Sequence, residues 1–567
     1  MTSKTSIFEA NGKEIGRNND CINVAAYLPK MAQQHPDALA VAVATGKRSK
    51  GKACYKMLTF AELNNRCDRI AHGLWRIGIK QGTRTVVMVN PSVEFFALTF
   101  ALLKIGAILV MVDPGMGVKN LGKCLSEAEP KAFIGIPKAH VARILFGWCK
   151  KRLTIKVTVG KRLFFGGYTL SHVMRGAPNK PYPIFKPPFE ETAAILFTSG
   201  STGVPKGVIT PHHVFASQVR MLRDTFGIQP GEVDLSTFPL FALFGPALGM
   251  ASVVPDMDAS RPASANPRKI IEAFEDFSCT NMFASPALIE KLGRYCHKHS
   301  IKLKKLRRVI SAGAPASIKA IERFQKVIPK GIEIFTPYGA TESLPISVIG
   351  SKTILNETRH STDKGGGVCV GLPVAGMNVE IIPIRDEPIK RWSNDLRLPP
   401  NTIGEIVVKG PVVTPGYYNR ERSTRLAKIY EPDGTVHHRM GDVGYFDTQG
   451  RLWMCGRKDH RIETDKGTMF TIPCEAVFNA NPNVFRSALV GVNKDGLIMP
   501  VLCVELEKGI KINKAALTAE LLKIAKTYKH TRTIKTILFH PSFPVDVRHN
   551  AKIFREKLTL WAQEKLS

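Results

Sequence analysis

The chain has 567 residues, enough for two to four domains, and an apolar fraction of 44% allows a sizeable core. The formal net charge of +33 calls for an anionic partner or reflects a general basic bias, but the charges are scattered and no basic stripe carries interleaved aromatics, which argues against a nucleic-acid interface. Eleven cysteines stand singly, without a C-x-x-C pair, and this argues against a disulfide framework or a zinc site.

Residues 1–22 are polar and read as an irregular lead-in. From Val24 the chain becomes periodic. Thr59 suits the N-cap of a helix running to about residue 77, because Leu63, Cys67, Ile70, Leu74 and Ile77 follow the three-and-four spacing of one face. Gly78 ends it, and 85–89 reads as a strand. A second helix at 93–105 and a strand at 107–112 repeat the alternation; Lys104 and Gly106 break this apolar region too often for a membrane span. Alternating strands and helices predict an α/β fold, with parallel and mixed sheets under helical layers. A proline-rich connector spans 179–188, the texture turns strand-like near Glu405, and beyond Gly456 the chain is short, charged and αβ-like. These shifts divide it into a large domain, 1–458, and a small one, 459–567.

The stretch ILFTSGSTGVPKGVIT at 195–210 has the strongest chemical character. A strand-like run empties into Thr198-Ser199-Gly200-Ser201-Thr202-Gly203, then Pro205-Lys206-Gly207. Small residues let the backbone approach an anion, successive N–H groups can form a nest, the hydroxyls add donors and Lys206 adds a point charge. This is a phosphate cradle but not a P-loop, since Pro205 stands where a second glycine belongs. Further on, a strand at 309–311 ends in Ala312-Gly313-Ala314-Pro315, which alone reads as a plain strand-to-helix turn. Tyr338-Gly339-Ala340-Thr341-Glu342 combines a ring able to stack on a purine, a hydroxyl for a phosphate and a carboxylate for Mg²⁺. Asp442, between glycines, suits the two hydroxyls of a ribose or a simple β-turn. The block 404–418, with Gly416-Tyr417-Tyr418, reads as structural. The adjacent pairs His212-His213 and His437-His438 lack zinc-site spacing.

In their order, these blocks resemble the adenylate-forming superfamily of acyl-CoA synthetases, luciferases and peptide-synthetase adenylation domains over roughly residues 24–560. The resemblance implies ATP and Mg²⁺ as cofactors. It places the 198–203 loop and Lys206 on the phosphates, and Gly313, Ala314 and Pro315 beside the adenine. Tyr338, next to Gly339, would stack on that base, Thr341 would touch the α-phosphate and Glu342 would hold Mg²⁺. Asp442 would bind the ribose and Arg457 the nucleotide. Asp459 would be the hinge of a small mobile α+β lid, and Lys552 in its tail would bridge the acyl carboxylate and the nucleotide. Lys552, Lys206, Thr341 and Glu342 would form the catalytic set.

Two places depart from the family pattern. Residues 462–467 carry one extra residue before their glycine, in a loop that helps CoA ligases form the acceptor site. In the tail, Ala551 replaces a glycine and Pro544 lies two residues further upstream. FPLFALFGPALGM, Pro255-Asp256-Met257-Asp258 and DVRHNAKIFREKL resemble more narrowly the β-lactone synthetases of bacterial long-chain olefin biosynthesis. That likeness implies activation of a long-chain 2-alkyl-3-hydroxy acid and ring closure without CoA. An acyl-CoA ligase, or a scaffold keeping only the nucleotide fold, are the alternatives. Phe241, Leu243, Phe244, Leu248 and Met250 fit an acyl pocket or a core helix equally well, and His549 is a candidate for the base that removes the hydroxyl proton. The expected partners are the long-chain hydroxy acid and an anionic membrane surface or other olefin-biosynthesis enzymes, with no nucleic acid. The expected location is cytoplasmic, with or without peripheral membrane contact.

Overall fold

The computed structural model describes residues 22–198, 205–507, 509, 512–545 and 552–567. Two large sheets form the N-terminal part. In the eight-stranded sheet, Arg84–Met88 pairs in parallel with Ile108–Met111 on one side and Ala132–Gly135 on the other. Thr192–Phe197 joins next to Ile108–Met111 and is reversed by the antiparallel Gly207–Pro211. The fourteen-stranded sheet runs in parallel from Leu39–Ser49 through Ala251–Val254, Val233–Ser236, Asn281–Ala284 and Arg308–Ser311 to Ile334–Ala340. It then continues antiparallel through Ser343–Gly350 and Val368–Pro373 to Leu452–Arg457 and Val436–Phe446. Adjacent parallel strands require long crossovers, and helices supply them.

The expected early elements appear where their local signals place them. The first long helix is Phe60–Arg76, and Thr59 forms a capping box with Glu62. The apolar segment that follows becomes the helix Val93–Ile105, capped by Ser92 and buried at every residue except Glu94. Its one interior cation does not break the core. Lys104 Nζ donates to Asp68 at 2.6 Å and to Asn64 at 2.7 Å, so the buried charge is both paired and hydrogen-bonded. Gly106 closes the helix at φ 77°, and a Cβ there would lie 2.4 Å from the Phe185 ring. Among the described residues no helix is long and apolar enough to cross a membrane.

The C-terminal part is a small α/β domain. Its sheet has three strands, Val484–Lys494, Leu497–Leu506 and Thr536–Phe539. The helices Thr471–Asn479, Lys514–Thr527 and Arg555–Leu566 cover it. Phe478, Leu502 and Leu521 form one of its cores and Val490, Val501 and Leu558 another, both separate from the cores of the large sheets. Lys319 Nζ crosses to it, donating to the carbonyls of Asn481 and Val484 at 3.1 and 3.4 Å. The ten described cysteines are free thiols.

Candidate active site

The C-terminal ends of the parallel strands from both sheets open onto one cavity of about 1850 Å³, the place where open α/β sheets take ligands. Every predicted catalytic and nucleotide-binding residue among the described residues lies on its wall. Ser199, Gly200, Ser201, Thr202 and Gly203 fall outside the described residues, as does His549. The base of their loop is defined: it leaves from Thr198 at the end of one strand and returns at Lys206 before the next, and Thr198 N donates to the Lys206 carbonyl at 3.1 Å.

Lys206, Thr341 and Glu342 all line the cavity. Glu342 sits in a network that motif reading did not foresee. Its carboxylate accepts from the Tyr417 hydroxyl at 2.8 Å, and its backbone carbonyl accepts from the amide and hydroxyl of Thr414 at 2.9 and 3.1 Å. The block that includes Tyr417 is therefore more than structural. Its ring centre also lies 5.1 Å from Lys206 Nζ, because Gly416-Tyr417 pairs antiparallel with Val208 and Ile209 just after that lysine. Burial and the adjoining Glu342 raise the Tyr417 phenol far above its ordinary range, so it stays a donor. Behind it, the fully buried Lys428 donates to the Thr414 carbonyl. Burial pushes that ammonium down to about 7, against the opposing pull of Glu342. His438 also lines the cavity. Burial, then the nearby Lys428, hold its imidazole neutral. Its Nδ1–H donates to the Ala427 carbonyl at 3.2 Å, which leaves Nε2 as an acceptor.

Gly313 takes φ 99° in the turn with Ala314 and Pro315, and the three line the cavity together with Tyr338 and Gly339. Asp442 lies on the strand Val436–Phe446, so it is not a turn aspartate. Arg457 is its cross-strand neighbour. One Asp442 oxygen accepts from the Tyr338 hydroxyl at 2.7 Å and the other from Arg457 at 2.9 Å. A carboxylate offers about four acceptor positions, so both oxygens retain capacity for sugar hydroxyls. Asp442 in turn raises the Arg457 guanidinium further.

The small domain supplies the opposite wall. Lys552 lines the cavity directly after the stretch 546–551, which lies outside the described residues. The residues on either side of that stretch are joined by a bridge between Val545 and Ile553 and by Phe554 N donating to the Pro544 carbonyl at 2.9 Å. Next to it, Arg555 pairs with the buried Glu475 of the helix Thr471–Asn479, at 2.9 Å for one nitrogen–oxygen contact. His460 lines the cavity too. Burial, followed by Arg555 and Arg457, lowers its imidazole to about 4.

The segment after Phe238 is not one core helix. It folds as two short helical turns, Pro239–Ala242 and Phe244–Ala247. Packing then sorts the acyl-pocket candidates. Phe241, Leu243 and Phe244 line the cavity, with Phe241 stacked on Phe283 at 3.8 Å, while Leu248 and Met250 belong to the core and not to the wall. The apolar lining draws on four cores, two of which lie on opposite faces of the eight-stranded sheet. Val87 and Leu109 belong to one, Val112, Phe197 and Ala139 to the other. Among the described residues no group of three His, Cys, Asp or Glu could hold a metal. A single carboxylate such as Glu342 is nonetheless what Mg²⁺ takes when phosphate oxygens and water complete its shell.

The AMP-binding enzyme family matches residues 28–418, spanning the cradle, the adenine-side turns and Glu342. The chain belongs to this family. It is 48% identical, over 97% of its length and 99% of the relative's, to a protein of Xanthomonas campestris pv. campestris named olefin beta-lactone synthetase. A protein of the same name from Stenotrophomonas maltophilia is 47% identical, again over 97% and 99%. Among solved structures, the amide bond synthetase McbA of Marinactinospora thermotolerans superposes with a TM-score of 0.77 at 21% identity, over 95% of this chain and 99% of that one. The o-succinylbenzoate CoA synthetase of Bacillus subtilis with its acyl-adenylate gives 0.71 at 19%, over 94% and 97%. Both share the fold of a large sheet domain and a small C-terminal α/β domain.

Proposed function

We propose that the protein is an ATP-dependent, AMP-forming ligase that activates a long-chain 2-alkyl-3-hydroxy acid and closes it to a β-lactone. The observation that carries this reading is the near-full-length identity of 48% to a named olefin beta-lactone synthetase. The apolar part of the lining, with Phe241, Leu243 and Phe244 on it, supports a long-chain substrate.

The substrate carboxylate attacks the α-phosphorus of ATP and pyrophosphate departs. Lys206, Thr341 and Lys552 meet the charge that grows there, which is electrostatic catalysis by groups already in place. Glu342, held by Tyr417, is the residue that would hold Mg²⁺, whose charge would offset that of the phosphates. Asp442 and Arg457 fix the nucleoside, and Tyr338 borders the base. The 3-hydroxyl oxygen then attacks the acyl carbon, and AMP leaves. The hydroxyl is tethered to its target, an advantage that in well-oriented cases reaches effective molarities on the order of 10⁵–10⁸ M. The energy of the mixed anhydride offsets ring strain, and the apolar lining keeps water from the adenylate. His438, through its bare Nε2, is a better-defined acceptor for the hydroxyl proton than His549. We place the hinge at Asp459, with 459–567 as the lid.

Product analysis tests the reading. A 3-hydroxy acid with ATP and no CoA should yield AMP, pyrophosphate and β-lactone, while the matched acid lacking the hydroxyl should stall as adenylate. Thioester from both acids at similar rates when CoA is added would make the protein an acyl-CoA ligase instead.

A further inference from the structure

Residues 130–189 contain twelve lysines and arginines and no aspartate or glutamate. This acid-free stretch folds into one corner of the eight-stranded sheet: the helix Pro137–Leu145, the strand Ile155–Thr158, the loop 160–167 and the edge strand Tyr168–Thr169. The corner exposes large apolar side chains. Phe164 is 78% exposed, Leu145 73%, Leu163 60% and Phe146 53%. They lie at the same corner because the loop is fastened to the helix. Phe165, next to Phe164, is buried and stacks on His140 at 5.3 Å, and the helix ends one turn beyond His140 at Ile144 and Leu145. Exposed Lys150, Lys151, Lys161 and Arg162 flank these side chains in the chain.

A contiguous exposed apolar patch marks an interaction site. Its apolar side chains are exposed and the charges flanking them in the chain are all basic, with Arg152 paired to Glu129 just outside the stretch at 3.4 Å, a net positive surround that matches a broad anionic plane. The patch is also continuous with the cavity: Lys138, Ala139 and Ala142 of the same short helix line the cavity wall.

We propose that this corner docks on an anionic lipid bilayer. Leu145, Phe146, Leu163 and Phe164 enter the headgroup layer, the flanking lysines and arginines meet lipid phosphates, and acyl chains pass into the cavity along the helix Pro137–Leu145. The delivery step rests on the long-chain reading of the site; the docking does not.

Sedimentation of the full-length protein with vesicles, without substrate, tests the docking. The protein should bind phosphatidylcholine vesicles containing about one-third phosphatidylglycerol, bind pure phosphatidylcholine about tenfold less, and release at high salt. Leu145→Ser with Phe164→Ser, and separately Lys161→Glu with Arg162→Glu, should each weaken binding about tenfold or more. Because all four side chains are exposed, the variants should form AMP from a short soluble acid at the wild-type rate, which reports that the fold is intact. Absence of wild-type binding, equal binding to both vesicle types, or wild-type binding by both folded variants would overturn the proposal; in the first case the patch is left for a protein partner. If the vesicles bind as expected but no β-lactone forms, only the functional reading falls.

Discussion

Glu342, proposed as the Mg²⁺ carboxylate, is held by a single tyrosine. The Tyr417 hydroxyl, kept protonated by burial, orients the carboxylate without neutralising it. Glu342→Gln keeps the shape and removes the charge a hard cation wants, so the Mg²⁺ concentration for half-maximal pyrophosphate release should rise, whereas Tyr417→Phe should shift it less. An unchanged Mg²⁺ titration in Glu342→Gln would move the cation elsewhere. Lys552, in the proposed mechanism, acts on charge that develops only during the reaction. Lys552→Ala should lower adenylate formation by about 10²–10³ while ATP affinity stays close to wild type, as pyrophosphate release and equilibrium ATP binding will report.

The helix Arg555–Leu566 begins three residues after Lys552 and is anchored by a buried ion pair. Burial raises the Glu475 carboxyl and Arg555 pulls it back. Arg555→Met strands that carboxylate in the interior, a loss of roughly 3–5 kcal/mol for a broken buried pair. The small domain should unfold at lower denaturant, and adenylation should fall as Lys552 loses its support. Arg555→Met combined with Glu475→Leu should recover most of the stability, since an apolar pair of similar volume does not strand a charge. Failure of the double variant to recover would mean the pair is not what anchors the helix.

Across the whole molecule, buried histidines set an acid limit. His212 is fully buried, neither ring nitrogen has a hydrogen-bond partner among the described residues, and burial lowers it to about 4. His460 is lowered to about 4 as well. A histidine free in the unfolded chain titrates near 6.5, so between about 6.5 and 4 the unfolded state binds the extra proton. Stability is complete above that window and is lost as pH falls through it. Some carboxyls work in the opposite direction: burial raises Asp234 to about 6. The difference between wild type and His212→Phe isolates the histidine. At pH 5 that side chain should cost the wild type about 2 kcal/mol relative to pH 7, and the variant should lose correspondingly less. Parallel pH profiles in denaturant melts would exclude His212 as a contributor.

What the sequence by itself determined is the part governed by neighbours in the chain. The capping box at Thr59, the apolar run of 93–105 and the strand–loop–strand around the phosphate cradle are set by periodicity, capping and small residues within a few positions. The cradle and the turn at 312–315 also follow strands of the two large sheets directly, and the C-terminal ends of parallel strands converge on one cavity. What only the tertiary structure decided involves partners far apart in the chain. Tyr417, Lys428 and His438 carry no local signature, and they gather around Glu342 and Lys206 through strand pairing. Phe241 and Leu248 are equally apolar on paper, and packing alone put one on the cavity wall and the other in the core. The scattered positive charge became a surface with a direction only when the acid-free stretch folded into one corner: side-chain charge is a property of the sequence, but the plane it presents is set by the sheet edge beneath it.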